Sequence, residues 1–382
     1  MLEKIIIKNV NSIDTCEIDF KKDKYKFLED NVNGTIVNPV AIYGHNGSGK
    51  TSVIKTMDQL VALMNEPAAN LRPFIVNNFL FDTYNRSTKK NDELVRGSVE
   101  LFFKIDSIEY NYFIQTSSFK GIVKEYLKVS NDVVFERDLN NFIYRKKNRK
   151  VQDVSTLIST LRSLASSEIN DDDIQKAYTY VSSYTIITPA FISRGAFVRS
   201  RIFNDVNFLD LLVNKSEEVK EILKGYNEFP IYSIVKKPLR TANIMETNKY
   251  FIEIEGKDFK GELPFEFISE GMKNQSVMLS ILLSMPENGI IFIDELEQAL
   301  HPSAIKSFLN VIKSKNIQVF FSSHNTYILQ LLRPDQIYFA KWYEGKSKYC
   351  RLSNIYQNIR EVNNIEKMYL SAMFDEAING EE

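Results

Sequence analysis

Histidine and cysteine are scarce in this sequence of 382 residues, which contains three of the first and two of the second. Cys16 and Cys350 lie far apart and form no metal-binding or redox pattern, so we expect no disulfide framework and a reducing compartment. The longest apolar stretch, around residues 277–285, is too short to span a membrane. The amino-terminal residues also lack the pattern of a secretory signal. These absences predict a cytoplasmic protein with no membrane partner.

An excess of charge of either sign is also lacking, because 48 basic residues stand against 49 acidic ones. The composition therefore gives no general argument for nucleic-acid binding, and any such binding must be local. Residues 144–150 contain five basic side chains after a tyrosine, a cluster that could bind phosphates or could form a solvated loop. The same two interpretations apply to Arg194, Arg199 and Arg201. Nucleic acid is thus one candidate partner.

All three histidines lie in segments that are typical of nucleotide handling, and the first of these segments is residues 44–51. Its sequence, Gly-His-Asn-Gly-Ser-Gly-Lys-Thr, fits the P-loop pattern G-x-x-x-x-G-K-[ST]. A hydrophobic strand is predicted before it at 39–43, and a helix after it at about 51–64. Glycines in such a loop let successive N–H groups turn toward phosphates, and the helix amino terminus adds its positive end.

The P-loop pattern assigns a role to each of its residues. Lys50 would reach the β- and γ-phosphates of ATP and take part in catalysis, and the Thr51 hydroxyl would coordinate Mg²⁺. The residues that we expect to contact the nucleotide in this segment are Gly44, His45, Asn46, Gly47, Ser48, Gly49, Lys50, Thr51 and Ser52.

A second segment, residues 289–295, is an unbroken apolar run that ends in Asp294 and Glu295. Such a run is typical of a buried parallel strand, and ligands of open α/β sheets bind at the carboxyl ends of the strands. We predict that Asp294 holds Mg²⁺ and that Glu295 orients and deprotonates the attacking water. Glu297 has two interpretations, a functional loop acid and a solvated acid at a helix start.

Two further segments follow the same logic. Ser269 and Gly271 precede an apolar helix, where Ser269 suits the cap and Gly271 leaves backbone N–H groups exposed; alone, these residues also fit an ordinary capped helix. Their position 25 residues before Asp294 favours a functional motif. A buried strand at 317–321 leads to His324, which at the end of a strand could donate to the γ-phosphate or could be an ordinary core histidine.

In this order, the four motifs resemble those of ABC-type ATPases, in the branch that contains the SMC, RecF and OLD proteins. The resemblance makes 44–51 the Walker A motif, 269–271 the signature, 290–295 Walker B, and His324 the switch histidine. The chain resembles more narrowly the bacterial AAA-type ATPases of abortive-infection and phage-defence loci. Four stretches carry that closer resemblance: residues 5–13, 269–271, 294–302 and 333–339.

The pattern between the motifs predicts an α/β P-loop head with a mixed sheet. Residues 1–146 alternate strand-like runs with turn clusters, so they should contain Walker A and an antiparallel β subdomain. Residues 147–228 have helical spacing and should form an inserted helical lobe. Residues 229–382 should complete the head with the signature, Walker B and His324. The chain has no sustained heptads, so we expect no coiled-coil arms.

The resemblance implies a slow ATPase in which Ser269 and Gly271 act on the ATP of a second head, and hence a homo-oligomer. It also implies a defence role in which the ATP state gates a separate effector, such as a nuclease. Two residues depart from the usual signature, Ile268 in place of an acid and Met272 in place of threonine. A nucleotide-gated scaffold with little turnover and a RecF-like DNA-repair ATPase remain as alternatives. Gln115, on a candidate strand, is a candidate for the Q-loop and equally fits an exposed glutamine of a strand.

Overall fold

The computed structural model describes residues 1–66, 96–117, 121–139, 141–145, 147–149, 158–188, 208–224, 231–241, 244–255, 260–300 and 305–374. The strands in these ranges are β1 (Leu2–Val10), β2 (Ile13–Asp19), β3 (Val32–Asn33), β4 (Ile36–Val37), β5 (Val40–Tyr43), β6 (Arg96–Ile105), β7 (Ile108–Ser117), β8 (Gly121–Val129), β9 (Asp132–Arg137), β10 (Phe142–Tyr144), β11 (Lys147–Arg149), β12 (Thr185–Ile187), β13 (Ile231–Thr241), β14 (Ile244–Glu255), β15 (Lys260–Pro264), β16 (Ile290–Ile293), β17 (Gln318–Ser322), β18 (Ile337–Tyr343) and β19 (Lys346–Arg351).

The α-helices of the same ranges pack around these strands. They are α1 (Lys50–Asn65), α2 (Thr160–Ala165), α3 (Asp172–Ser182), α4 (Phe208–Lys224), α5 (Glu270–Ser284), α6 (Leu296–Ala299), α7 (Ile305–Ser314), α8 (Leu352–Ile355) and α9 (Ile365–Leu370). Helix α1 and strand β5 agree with the helix and strand predicted around the P-loop. No helix in the described part of the chain is both long and apolar enough to cross a bilayer.

One large sheet of fourteen strands organises the described residues, in the order β11-β10-β9-β8-β7-β6-β1-β2-β19-β18-β5-β17-β16-β12. The segment from β18 to β12 is parallel, and the segment from β11 to β2 is antiparallel. Strands β13, β14 and β15 form a second, antiparallel sheet. The predicted α/β class with a mixed sheet and an antiparallel region is confirmed.

The division of the chain at residues 146 and 228 stays a prediction. The range 147–228, which we expected to form an inserted helical lobe, contains α2, α3 and α4. It also contains β12, which pairs in parallel with β16 at one edge of the large sheet. The lobe and the head are therefore joined by backbone hydrogen bonds as well as by side-chain packing.

Two apolar cores lie on the two faces of the sheet, and the alternation of side chains along the strands separates them. On β16, Ile290 and Phe292 belong to one core, which includes residues of α1 and α3. Ile291 and Ile293 belong to the other, which includes residues of α5 and α7. Full burial of such side chains contributes roughly 1.5–3 kcal/mol each. The parallel strands are therefore packed on both faces of the sheet. This packing holds their carboxyl ends in position relative to one another.

A buried arginine joins the segment around residue 27 to the turn before β18. The Arg333 guanidinium is fully buried and forms an ion pair with Asp335, in which Nε and Oδ1 are 3.0 Å apart. It also donates to the backbone oxygens of Tyr25, at 2.8 Å, and Phe27, at 3.1 Å. Glu29 accepts a further hydrogen bond at 3.0 Å. Because buried charges are costly unless they are paired, this network fixes where β18 starts.

Candidate nucleotide-binding site

Three neighbouring parallel strands, β5, β17 and β16, end at the same edge of the sheet. Their register places Ile42 of β5 beside Ser322 of β17, and Phe321 of β17 beside Ile293 of β16. The P-loop, His324 and the acids Asp294 and Glu295 follow directly in the chain. The edge thus collects the predicted Walker A, Walker B and switch residues, as expected for an open α/β sheet.

The P-loop is a tight turn whose glycines have conformations that other residues avoid. Gly44 has φ +150°, and a Cβ there would lie 2.7 Å from Ser48 Oγ and against the Ala340 carbonyl. Gly49 has φ +102°, and a Cβ there would meet the side chain of Ser347 and lie 2.6 Å from the Tyr349 hydroxyl. The motif therefore needs glycine for both backbone freedom and space.

Lys50 begins helix α1 and is folded over the loop. Its Nζ donates to the carbonyl oxygens of Gly44, at 2.8 Å, and His45, at 3.0 Å, and the residue is only 5% exposed. Burial lowers the pKa of Lys50 from its ordinary value, while the carboxylates of Asp294, Glu297 and Glu295 act in the opposite direction. Phosphate groups would add negative charge at this position and support the ammonium form.

Asp294 connects the ends of β16 and β17 to the first turn of α1. Its Oδ1 accepts hydrogen bonds from Ser322 Oγ, at 2.6 Å, and from Thr51 Oγ1, at 3.2 Å, and the residue is 6% exposed. A hydroxyl and a carboxylate are hard oxygen ligands of the kind that Mg²⁺ prefers. The described residues contain no group of three or more His, Cys, Asp or Glu side chains that could hold a metal. A Mg²⁺ ion here would therefore complete its shell with phosphate oxygens and water.

Glu295 lies in a strained turn beside this network. Its φ of +50° is left-handed, which is uncommon for a residue other than glycine, and such strain is often found at functional sites. Its backbone N–H donates to Ser322 Oγ at 2.8 Å, and its carboxylate accepts from the Gln298 side-chain amide. Glu295 itself is half-buried. The backbone and the carboxylate of Glu295 are thus both hydrogen-bonded beside Asp294.

Glu297 connects the turn after β16 to the loop after β17. Its Oε1 accepts from the His324 backbone N–H at 2.8 Å, and its Oε2 accepts from Ser323 Oγ at 2.7 Å. The His324 side chain is exposed at this edge. Glu297 thus lies in the first turn of α6, as the second interpretation has it, but its carboxylate is bonded to the end of β17 rather than solvated.

The signature residues lie on the surface at the start of α5. Ser269 and Gly271 are exposed, and a Cβ at Gly271 would meet nothing within 4 Å. Phe267, two residues before Ser269, is 76% exposed. The signature therefore faces outward, where a second molecule could approach it.

Several residues at the site carry no motif signal of their own. Ser347 Oγ donates to Ser12 Oγ at 2.8 Å, Ser12 Oγ lies 3.0 Å from Ser52 Oγ, and the Tyr349 hydroxyl donates to the Gly49 carbonyl at 2.9 Å. These contacts join residues about 40 and 300 positions apart, so only the register of the sheet brings them together. Among the serines at the site, Ser322 and Ser323 lie in a segment with a recognisable pattern, Ser-Ser-His at 322–324. That pattern indicates a role for the histidine and none for the serines.

Other candidates lie elsewhere or outside the described residues. Gln115 is in β7, paired with Ser98 and Lys124 of the antiparallel region. In the basic cluster at 144–150, Arg145 forms hydrogen bonds to Asp171 through Nε, at 2.9 Å, and NH2, at 2.8 Å. The Tyr144 hydroxyl donates to the same carboxylate at 2.8 Å. These two residues are thus engaged within the protein. Lys146, Lys150, Arg194, Arg199, Arg201 and His301 lie outside the described residues.

The fold and this edge define a P-loop ATPase of the ABC type. A model of the family described as "AAA domain, putative AbiEii toxin, Type IV TA system" matches residues 40–330. The match covers most of the chain and runs from the strand before the P-loop to beyond His324, so the chain belongs to this family. The expected resemblance to AAA-type, ABC-like ATPases of defence-type loci is confirmed.

Two individual proteins are similar to all or part of the chain. The chain is 21% identical over 391 residues to the Retron Vc95 probable ATPase of Vibrio cholerae serotype O1 biovar El Tor, covering 87% of this chain and 73% of the relative. It is 28% identical over 213 residues to the chromosomal replication initiator protein DnaA of Lacticaseibacillus casei (strain BL23), covering 50% of this chain. That match covers 46% of DnaA, so the chain spans about half the length of this relative.

A solved structure shares the fold. The SMC head bound to the C-winged helix domain of ScpA superimposes with a TM-score of 0.50 at 14% sequence identity. The match covers 91% of this chain and 97% of the SMC head. This likeness supports the ABC-type head architecture, and the low identity limits it to the fold.

Proposed function

We propose that this chain binds ATP with Mg²⁺ at the edge formed by β5, β16 and β17, and that it hydrolyses the bond between the β- and γ-phosphates. The observation that carries the proposal is the Asp294 carboxylate, which accepts hydrogen bonds from both Thr51 and Ser322. This contact sets an acid beside the helix amino terminus that would hold the phosphates. Thr51 and Asp294 would hold Mg²⁺ here, and the ion would supply charge that neutralises the phosphates.

Each residue has a distinct task in the proposed reaction. Lys50 would leave the loop carbonyls and bind the β- and γ-phosphates, and Thr51 and Asp294 would hold Mg²⁺. Glu295 would take a proton from the attacking water. His324 would donate to the γ-phosphate and so distinguish ATP from ADP. Bound Mg²⁺ supplies electrostatic stabilisation of the charge that develops on the phosphoryl oxygens.

The test of catalysis is the substitution Glu295→Gln. We expect ATP binding to remain and turnover to fall by about 10²–10⁴-fold, because the general base is lost while the size of the side chain is kept. ATP affinity is measured by calorimetry and turnover by phosphate release. Glu287→Gln, an exposed acid before the amino end of β16, is the matched control and should leave both values unchanged.

Turnover that is equal in Glu295→Gln and wild type would remove Glu295 from the role of base. Wild-type protein that binds ATP and releases no phosphate would favour the nucleotide-gated scaffold instead.

We also propose that two heads share their ATP sites. The support is the outward position of Ser269 and Gly271, which lie exposed at the start of α5. An isologous two-fold arrangement would bring the signature of each head to the P-loop of the other, so both sites would be completed at once. The chain would then be a homo-oligomer whose closure depends on ATP.

We further propose a regulatory role in a defence system with a separate effector. The family description and the retron relative support this context. Because a ligand shifts an equilibrium only through differential binding, the ATP-bound and ATP-free states must differ in affinity for the effector. Co-expression with the products of neighbouring genes, with Lys50→Ala as the inactive variant, tests this role. Phage restriction by this chain alone would rule out a separate effector.

A further inference from the structure

The loop that carries His324, just after β17, is tied to β5 on either side of the histidine. The Ser323 backbone N–H donates to the Ile42 carbonyl at 3.2 Å. The hydroxyl of Tyr43, a fully buried side chain, donates to the Asn325 carbonyl at 3.2 Å. These two contacts fix the path of the loop, and neither of them involves the peptide between Ser323 and His324.

Glu297 provides a contact to that peptide. Its Oε1 accepts from the His324 N–H at 2.8 Å, and its Oε2 accepts from Ser323 Oγ at 2.7 Å. The Ser323 hydroxyl in turn accepts from the Asn325 N–H at 3.0 Å. Since both carboxylate oxygens are engaged, the carboxylate cannot turn without breaking a contact to the loop. Glu297 follows Glu295 in the first turn of α6, so it ties the backbone of His324 to the turn of the proposed base.

A negative charge at this position is unexpected on electrostatic grounds alone. Glu297 is one of the carboxylates whose charge acts on the Lys50 ammonium, which would bind the phosphates. An acid this close to Lys50 would repel the phosphates of a nucleotide, because charges in a partly buried site are only weakly screened. Its two hydrogen bonds to the loop are charge-assisted and therefore stronger than those of a neutral acceptor. The acid thus opposes phosphate binding and at the same time holds the loop of His324 firmly.

We propose that Glu297 is a positioning residue, which orients His324 toward the γ-phosphate of the bound nucleotide. The inference rests on the proposed role of His324 and adds the residue that acts through it. The direction of a side chain follows from the orientation of its own peptide, and Glu297 holds that peptide through its N–H. Without Glu297, the contacts at Ser323 and Asn325 would keep the loop in place while the imidazole lost its orientation. The preference for a nucleotide with a γ-phosphate would then fall.

The experiment measures this preference in the full chain. Calorimetry with Mg²⁺ gives the affinities for ADP and for adenylyl imidodiphosphate, an ATP analogue that is not hydrolysed. The ratio of the two affinities should fall about tenfold in Glu297→Ala, as expected for the loss of one charge-assisted hydrogen bond to a phosphate. Glu287→Ala, at an exposed acid before the amino end of β16, is the matched control and should leave the ratio unchanged. Binding of ADP shows that each variant is folded.

The sign of the change separates positioning from a simple effect of charge. The ATP analogue carries more negative charge than ADP, so it gains more than ADP when an acid is removed. Loss of the Glu297 charge alone would thus raise the preference for the analogue, whereas loss of positioning lowers it. Glu297→Gln should keep the preference, because its amide oxygen can accept from the His324 N–H and its amide nitrogen can donate to Ser323 Oγ.

A double-mutant cycle tests whether Glu297 acts through His324. His324→Ala should lower the ratio about tenfold, and Glu297→Ala should cause no further change in that background, because effects within one network are not additive. A ratio that is unchanged or raised in Glu297→Ala overturns the inference, as do independent losses in the double variant. If His324→Ala leaves the ratio unchanged, the sensing role of His324 and the inference fail together, with nucleotide binding intact. If the wild-type chain binds neither nucleotide, the proposed function itself fails and the inference with it.

Discussion

Gly47 and Gly49 have similar backbone conformations and very different surroundings. Their φ angles are +77° and +102°, so a side chain at either position is strained. A Cβ at Gly47 would lie in open space, whereas one at Gly49 would collide with Ser347 and Tyr349 of β19. Gly47 is thus needed for the backbone conformation of the loop, and Gly49 is needed both for that conformation and for the close contact with β19.

Substitution of these glycines by alanine should separate the two effects. Gly47→Ala should lower the free energy of unfolding by about 1–2 kcal/mol, the usual cost of left-handed backbone for an L residue. Gly49→Ala should cost about 1–3 kcal/mol more, because the added methyl group overpacks the contact with β19. Denaturant unfolding of both variants measures the difference. Equal losses would show that β19 yields without strain.

Single residues of the site could be predicted where a local pattern encodes them. Lys50 and Thr51 follow from the P-loop motif, and Asp294 follows from an acid at the end of an apolar strand. The contacts of Ser322 and Ser347 could not be predicted, because a serine on a strand has no distinctive pattern. Their partners depend on which strands are neighbours and in what register, which is a property of the folded sheet.

At the scale of elements, the position of β18 depends on a buried charge. Arg333 is paired with Asp335 and held by the backbone around residue 27, just before β18 begins. Strands β18 and β19 then form a hairpin, and Gly44 and Gly49 of the P-loop pack against it. The strands and helices near the motifs could be predicted from periodicity. Strand β12 could not, because its three residues, only two of them apolar, lie within a range of helical spacing.

Arg333→Met tests how much this network contributes to the free energy of unfolding. The variant leaves the Asp335 carboxylate buried without its cation, so we expect a loss of about 3–5 kcal/mol in the free energy of unfolding. Lys346→Met is the control, since Lys346 and Asp14 form an exposed pair with side chains 57% and 49% accessible. That change should cost less than about 1 kcal/mol. Losses of the same size in both variants would contradict a special role for Arg333.

At the scale of the whole molecule, the predicted ATP site draws on two parts of the chain. The P-loop edge is built from β5, β16 and β17, while the signature is exposed at the start of α5 with open space around Gly271. In the proposed arrangement, the signature of a second copy would complete the P-loop edge. The resemblance to ABC-type ATPases implies this arrangement, and periodicity alone could not, since it carries no information about other molecules.

Self-association is therefore expected to depend on ATP. In the Glu295→Gln background, which should retain the nucleotide, added ATP should raise the mass measured by light scattering to that of a dimer. Gly271→Arg in the same background should keep ATP affinity and abolish association, because the new side chain has room in the monomer and none between two heads. A monomer with bound ATP in the first variant would refute closure of two identical heads.

The paired serines at the end of β17 have a consequence for timing. Ser322 holds Asp294 and the backbone of Glu295, and its neighbour Ser323 shares Glu297 with His324. The residue that would sense the nucleotide, His324, and the residues that would hydrolyse it, Asp294 and Glu295, are thus held by two consecutive serines. A contact between His324 and a γ-phosphate would act on the end of β17, which also holds the backbone of Glu295. The same strand end would both sense the γ-phosphate and hold the residue that removes it. The ATP-bound signal would therefore last only until hydrolysis.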